Sequence, residues 1–348
     1  MSLTESRFIQ ALNGRPHDRT PVWVMRQAGR HLPEYRKIRS QVGSFMEFCR
    51  SPELACEATL QPIKRYDFDA AILFSDILTI PDAMDLGLQF KEGEGPVFSK
   101  TIRSMSDVNN IRLYDTEDNL GYVFEAIRLV KHELGDATPL IGFAGSPWTV
   151  ATYMVEGRGS KQFTHVRKML YQSPDILHAL LERNTTETIR YLKEQIKAGV
   201  DAVMIFDTWG GVLTSETYEL FSLSYMKKII SEIKSEYKDI PVIMFTKGGG
   251  FWLKQMVCSG ADALGLDWSI NISEAKITVD NKVTLQGNLD PAVLYGNASL
   301  IERSVENIMT SYGEGYRHIF NLGHGIFPDI DPENVSILME AVKKYGKK

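Results

Sequence analysis

The stretch DAVMIFDTWGG, Asp201 to Gly211, is apolar at every position from Ala202 to Phe206 and then turns abruptly polar and glycine-rich. A strand with one wet face alternates apolar and polar residues, so a run apolar on both faces belongs in a sheet covered on both sides, as parallel sheets are. Seven other runs share this character: PVWVM (Pro21 to Met25), AAILF (Ala70 to Phe74), PLIGFA (Pro139 to Ala144), PVIMF (Pro241 to Phe245), ADALGL (Ala261 to Leu266), VTLQG (Val283 to Gly287) and YRHIFNL (Tyr316 to Leu322).

Helical patterns with readable ends lie between the runs. Ser51-Pro52-Glu53, Ser173-Pro174-Asp175 and Asp331-Pro332-Glu333 each supply an N-cap and an N1 proline, while Gly199 and Gly346 occupy C′ positions. Eight strands alternating with helices predict an α/β fold, a (β/α)₈ TIM barrel, with right-handed crossovers making the strands parallel. A doubly wound open sheet is the runner-up. Two additions are expected: a helix around Ser6 to Leu12 before the first strand, and a β-hairpin after strand 2, LGLQFKEGEGPVFSK (Leu86 to Lys100), turning at Glu92-Gly93-Glu94-Gly95.

A chain of 348 residues is long enough for two domains, but it carries no repeat, low-complexity tract or Pro/Gly/Ser-rich linker, so one domain over 1–348 is expected. A formal charge of -5 argues against general nucleic-acid binding, and an acidic ligand would need a locally basic pocket. Cys49, Cys56 and Cys258 form no CxxC pair, which fits inert thiols in a reduced compartment. MSLTESRFIQALNG lacks a basic segment followed by an apolar one, and no apolar run approaches a membrane span; a cytoplasmic, non-membrane protein is expected.

In such barrels the chemistry sits just beyond the strand C-termini. After the first run, VMRQAGRHLPEYRKIR places Arg26, Gln27, Ala28, Gly29 and Arg30. Two guanidinium forks this close imply a ligand with more than one acid group, whereas Arg36 and Lys37 read as a solvated helix face. Asp76, after the second run, either pairs with these arginines or holds a cationic or NH-rich ligand. Tyr153 and Arg158 follow the third run, and Asp207, Thr208 and Trp209 the fourth, where Trp209 reads as loop packing. Lys247, before three glycines, reads as a surface lysine on a tight turn. Asp267, Asn288 and Asp290 close the sixth and seventh runs, Asp290 as an N-cap before Pro291. His324, between two glycines, is an acid/base or carboxylate-binding candidate or a satisfied structural histidine.

MRQAGR followed by PEYR, then FSDIL, GSPWTVATYMVEG, QGNLDP and NLGHGI, in that order, resemble the uroporphyrinogen decarboxylase family from the N-terminal helix to the last helix. The resemblance implies cofactor-free decarboxylation of the four acetates of uroporphyrinogen III, giving coproporphyrinogen III and four CO₂ in porphyrin and heme biosynthesis. That substrate carries eight carboxylates, which accounts for the arginines. Arg26, Gln27, Ala28, Gly29, Arg30, Asp76, Tyr153, Thr208 and His324 then match substrate-binding positions, Asp76 as transition-state stabiliser and Arg26 as candidate proton donor. A homodimer with facing clefts is also implied, with no metal. Many relatives have Tyr where His31 stands, and animal members have Ser-His in place of Thr208-Trp209; the retained hydroxyl keeps a binding role, but no histidine stands beside it. The rivals are a zinc- or cobamide-dependent methyltransferase, whose His-x-Cys pair is missing because no histidine precedes any cysteine by two residues, and a non-catalytic tetrapyrrole carrier.

Overall fold

The computed structural model describes residues 3–91 and 93–348. Its strands are β1 (Ala71–Ile72), β2 (Leu88–Lys91), β3 (Gly95–Phe98), β4 (Leu140–Gly145), β5 (Ala202–Asp207), β6 (Val242–Thr246), β7 (Ala263–Gly265), β8 (Thr284–Gln286) and β9 (His318–Ile319). Seven of them form one parallel sheet in the order β1-β4-β5-β6-β7-β8-β9. The register runs from Ala71 opposite Leu140 to Gln286 opposite Ile319. Every residue of β4 and β6 is buried, as their two-sided apolar pattern requires.

The run Pro21 to Met25 closes the barrel, but not as a regular strand. Val22 makes a single parallel bridge to Phe320; the Phe320 amide donates to the Pro21 carbonyl at 2.8 Å, and the Asp69 amide to the Val22 carbonyl at 2.9 Å. The eighth stave therefore sits between β9 and β1. Side chains take up the amides that a ladder would use: Val22 donates to the Asp69 carboxylate (2.9 Å), Val24 to Gln27 Oε1 (3.2 Å) and Met25 to Asn321 Oδ1 (3.0 Å). Buried amides must be paired, and here the partners are fixed carbonyl and carboxylate oxygens rather than a neighbouring backbone.

Inside the barrel, Trp23 Nε1 donates to Gln286 Oε1 at 2.9 Å, joining the irregular stave to β8. The helix Arg7–Leu12 is capped by Ser6, whose hydroxyl accepts from the Ile9 amide. Thr284 at the start of β8 donates to the Ala11 carbonyl at 2.7 Å, so this helix covers the end of the barrel away from the strand C-termini. Ser51 and Asp331 cap their helices as expected, and Gly199 ends its helix with φ +114°. Ser173 precedes Pro174 without a side-chain cap. Gly346 differs from expectation: it keeps φ -87°, and its carbonyl accepts from the Thr20 amide at 2.8 Å. β2 and β3 pair antiparallel from Leu88–Phe98 to Lys91–Gly95; of the turn between them, Glu92 lies outside the described residues. Among the described residues no helix is long and apolar enough to cross a membrane.

Three buried imidazoles make the fold acid-sensitive. Burial lowers the pKa of His318 to about 3 and of His324 to about 3, and burial reinforced by the charges of Arg65 and Arg36 lowers that of His31 to about 4. With folded values below 6.5, the unfolded chain takes up protons first as pH falls. The stability is complete above about pH 6.5 and is lost towards pH 4 for His31 and pH 3 for the others. His31 stacks on Tyr66 at 6.5 Å, and neither of its nitrogens has a hydrogen-bond partner. His31→Phe is therefore expected to leave stability near pH 7 almost unchanged and to raise it by about 2 kcal/mol at pH 4.5 relative to the parent. Urea unfolding of both proteins at the two pH values reads this; equal gaps at both would refute it.

Candidate active site

The loop leaving the irregular stave is held in an unusual shape. Arg26 adopts φ +62°, a left-handed conformation costly for a side-chain-bearing residue. Its side chain runs across Gly325: a Cβ there would stand 2.3 Å from Arg26 Cδ. The Ile326 amide donates to the Met25 carbonyl at 3.0 Å, fixing the two loops together. Gln27 is fully buried; its amide nitrogen donates to the Ala70 carbonyl at 3.2 Å, so its side chain belongs to the barrel wall and faces no ligand. The amides of Ala28, Gly29 and Arg30 donate to no group among the described residues. Arg36, which reads from sequence as part of a solvated face, shapes this loop: its Nη1 donates to the carbonyls of Arg30 (2.7 Å) and His31 (3.1 Å).

Asp76 follows β1 and opens the short helix Thr79–Ala83. Its Oδ1 accepts from the Leu78 amide at 2.8 Å, an Asx-type turn that orients the carboxylate. Burial pushes its pKa up, opposed by the Leu78 amide and then by the Arg26 charge. Arg26 therefore acts on Asp76 through space, yet neither Asp76, Arg26 nor Arg30 forms an ion pair among the described residues. Of the two readings open from sequence, a structural salt bridge is not formed by Asp76 among the described residues.

Tyr153 and Trp209 lie near Asp76 and Arg26, whose charges reach the Tyr153 phenol. Their rings meet edge-on at 6.5 Å, and Phe163 lies 4.6 Å from Trp209. Burial raises the pKa of the Tyr153 phenol. The Trp209 indole N–H opposes that rise without the alignment of a full hydrogen bond, and the charges of Asp76 and Arg26 also reach the phenol. Trp209 is packed as expected, and Thr208 beside it is half-buried.

Beneath Thr208 lies a carboxylate for which the sequence offered no role. Asp207 is fully buried and accepts from Ser146 (2.6 Å), Ser222 (2.7 Å), Thr149 (2.8 Å) and Thr246 (3.4 Å) hydroxyls. Burial raises its pKa and these hydroxyls oppose the rise. The Thr149 hydroxyl also accepts from the Trp209 amide at 3.1 Å, so this hub positions the loop carrying Thr208. Asp207→Ala should cost about 3 kcal/mol or more by leaving buried hydroxyls unpaired. Thermal denaturation checks this, and an unchanged melting temperature would contradict it.

His324 stands opposite Phe245, ring centroids 6.1 Å apart. Besides burial, the charges of Arg26 and Lys247 hold its pKa near 3, so at neutral pH it is an uncharged imidazole offering one N–H rather than a cationic acid. Asp267 is taken up by the Gly248 amide and by the Ser269 amide and hydroxyl, Asn288 Nδ2 donates to the Asp267 and Ile270 carbonyls, and Asp290 caps its short helix through the Ala292 amide. These three are structural. Arg158 pairs through its backbone with Val97 of β3. Lys247 differs from the expected surface lysine: it is half-buried, with Nζ 5.6 Å from the Trp268 ring centroid. Among the described residues no group of three or more His, Cys, Asp and Glu side chains could hold a metal ion.

Comparison with known proteins places the chain in a family. Among solved structures, a methyltransferase from Methanosarcina mazei matches with a TM-score of 0.83 at 21% identity, covering 99% of each chain. A B12-independent methionine synthase from Shewanella sp. W3-18-1 matches with 0.56 at 12%, over 84% of this chain and 88% of that one. At these identities the likeness is one of fold. Curated relatives are far nearer in sequence. A uroporphyrinogen decarboxylase from Idiomarina loihiensis is 53% identical over 99% of this chain and 97% of its own length, and one from Legionella pneumophila (strain Corby) is 55% identical over 99% and 98%. One from Klebsiella pneumoniae is 55% identical over the same shares. The family described as uroporphyrinogen decarboxylase (URO-D) matches residues 3–345. With the motifs in order, the barrel around them and relatives sharing more than half its residues, the chain belongs to the uroporphyrinogen decarboxylase family.

Proposed function

We propose that the protein is a carboxy-lyase that converts the four acetate side chains of uroporphyrinogen III to methyl groups, releasing four CO₂ and coproporphyrinogen III in heme biosynthesis. The observation that carries this reading is one desolvated carboxylate, Asp76, within electrostatic reach of Arg26, with Asp76, Arg26 and Arg30 all free of ion pairs among the described residues. A porphyrinogen has the complementary pattern, pyrrole N–H groups at its centre and acids at its edge.

Loss of CO₂ from an acetate leaves an electron pair that needs a sink. A proton added to the pyrrole α-carbon makes the ring cationic; the C–CO₂ bond then breaks and its electrons flow into the ring, leaving an exocyclic methylene. A second proton converts that methylene to methyl, and loss of the α-proton restores the pyrrole. One proton is consumed per CO₂. Asp76 accepts the pyrrole N–H bonds and stabilises the cation as it forms. Arg26 and Arg30 bind carboxylates, aided by the free amides of Ala28, Gly29 and Arg30, while Gln27, whose amide donates to the Val24 carbonyl at 3.0 Å, holds the loop that carries them. Tyr153, Thr208 and neutral His324 complete the binding positions. Arg26 is the proton-donor candidate because it is the cation acting on Asp76. This chemistry calls for no cofactor.

The chain works in this reading as one catalytic unit over 1–348, in the cytoplasm, as a homodimer. Exposed Phe251, Trp268 and Phe327, in the segments that follow β6, β7 and β9, support pairing through that face. A zinc-dependent methyltransferase is less well supported, since Cys49 and Cys56 are buried and Cys258 is exposed with no ligand cluster. The test is anaerobic incubation of metal-stripped protein with uroporphyrinogen III, then oxidation and chromatographic counting of carboxylates. Progress from eight to four is expected; tight binding without loss of CO₂ would mean a carrier.

A further inference from the structure

Lys247 stands at the end of β6, the fifth stave counted from the irregular one, and Arg26 and Arg30 leave the first. In a ring of eight staves the first and fifth face each other across the mouth. The backbone of Lys247 is fixed on several sides. Its amide donates to the Asp207 carbonyl at 3.2 Å. Its carbonyl lies 2.5 Å from where a Cβ on Gly211 would stand, an approach that only glycine permits, and the next residue, Gly248, donates to the Asp267 carboxylate. A lysine anchored this way is not a flexible surface charge.

Its side chain has no acid to satisfy it. Nζ rests 5.6 Å from the Trp268 ring centroid and forms no ion pair among the described residues. An indole face at this range holds an ammonium weakly and leaves its N–H donors for an incoming anion. The charges of both Lys247 and Arg26, as well as that of Asp267, act on His324, so both cations lie within electrostatic reach of one ring.

We infer that Lys247 is a third carboxylate anchor, holding an acetate or propionate of the macrocycle on the side opposite Arg26 and Arg30. The inference rests on the decarboxylase reading and deepens it: a ring bearing acids on every edge is gripped from both sides, which a pair of adjacent arginines cannot do. As the point of contact is a single charged hydrogen bond, its loss should act on binding and not on the chemical step.

The test is steady-state turnover of uroporphyrinogen III by the parent, Lys247→Ala and Lys247→Arg, with melting temperatures of all three. Expected for Lys247→Ala are a KM raised roughly ten-fold or more, a kcat within about two-fold of the parent and an unchanged melting temperature. Lys247→Arg should recover most of the KM. If the parent turns over but Lys247→Ala keeps its KM, or Lys247→Arg is as impaired as Lys247→Ala, the anchor is overturned while the decarboxylase reading stands. If the parent releases no CO₂, both are overturned.

Discussion

Asp76→Asn is expected to lower kcat by about three orders of magnitude while leaving the protein folded. The substitution keeps an oxygen to accept the Leu78 amide, now at 2.8 Å, so the turn that presents the side chain persists. What disappears is the charge. At an effective dielectric of about 20, a unit charge about 4 Å from a developing cation contributes about 4 kcal/mol, close to a thousand-fold in rate. The site amplifies the effect, because Asp76 is desolvated and forms no ion pair among the described residues. The asparagine also presents an N–H₂ group to pyrrole N–H donors, so macrocycle binding should weaken with turnover. Anaerobic turnover, substrate titration and thermal denaturation measure the three quantities. Near-normal activity in a folded variant would sink the assigned role.

Gly325→Ala is expected to lower kcat/KM by about a hundred-fold through a residue it does not replace. The new methyl would stand 2.3 Å from Cδ, 2.7 Å from Cγ and 2.8 Å from Nε of Arg26, so the guanidinium must leave its position. Arg26→Ala should cost a similar factor, since charged hydrogen bonds to carboxylate are worth about 1.5–3 kcal/mol each. The discriminating measurement is the double variant. If Gly325→Ala acts by displacing Arg26, adding it to Arg26→Ala should cost little more, a strongly non-additive cycle. Additive losses would show that Gly325 acts through something other than Arg26.

Much of this arrangement is legible in one sequence. DAVMIF becomes β5 at Ala202–Asp207 because two-sided apolarity admits few other readings, and Asp76, Tyr153 and His324 emerge from the rule that barrel chemistry follows strand ends. What escapes is whatever depends on partners distant in sequence. PVWVM has a strand's composition, but its amides are claimed by Asp69, Gln27 and Asn321 side chains, the last 296 residues away. Gln27 sits in a motif expected from sequence to bind ligand, yet spends its side chain on the wall. His324 looks like an acid until its burial, and then the charges of Arg26 and Lys247, are taken into account. Lys247 resembles an ordinary turn lysine because its anchors lie on two other segments, Asp207 and Gly211 after β5 and Asp267 after β7.

The irregular stave also bears on how the molecule is made. Residues 21–25 leave the ribosome early, yet their bridge and one of their side-chain acceptors belong to Phe320 and Asn321. Throughout most of synthesis the emerging sheet is an open arc with two unsatisfied edges, the species most exposed to misassociation. The last ring contact and the seating of Arg26 against Gly325 come from the same segment, so synthesis of residues 320–326, closure of the cylinder and assembly of the cationic rim are one event. Nascent chains arrested before residue 320 should be cut readily by protease near residues 21–30, and full-length chains should resist.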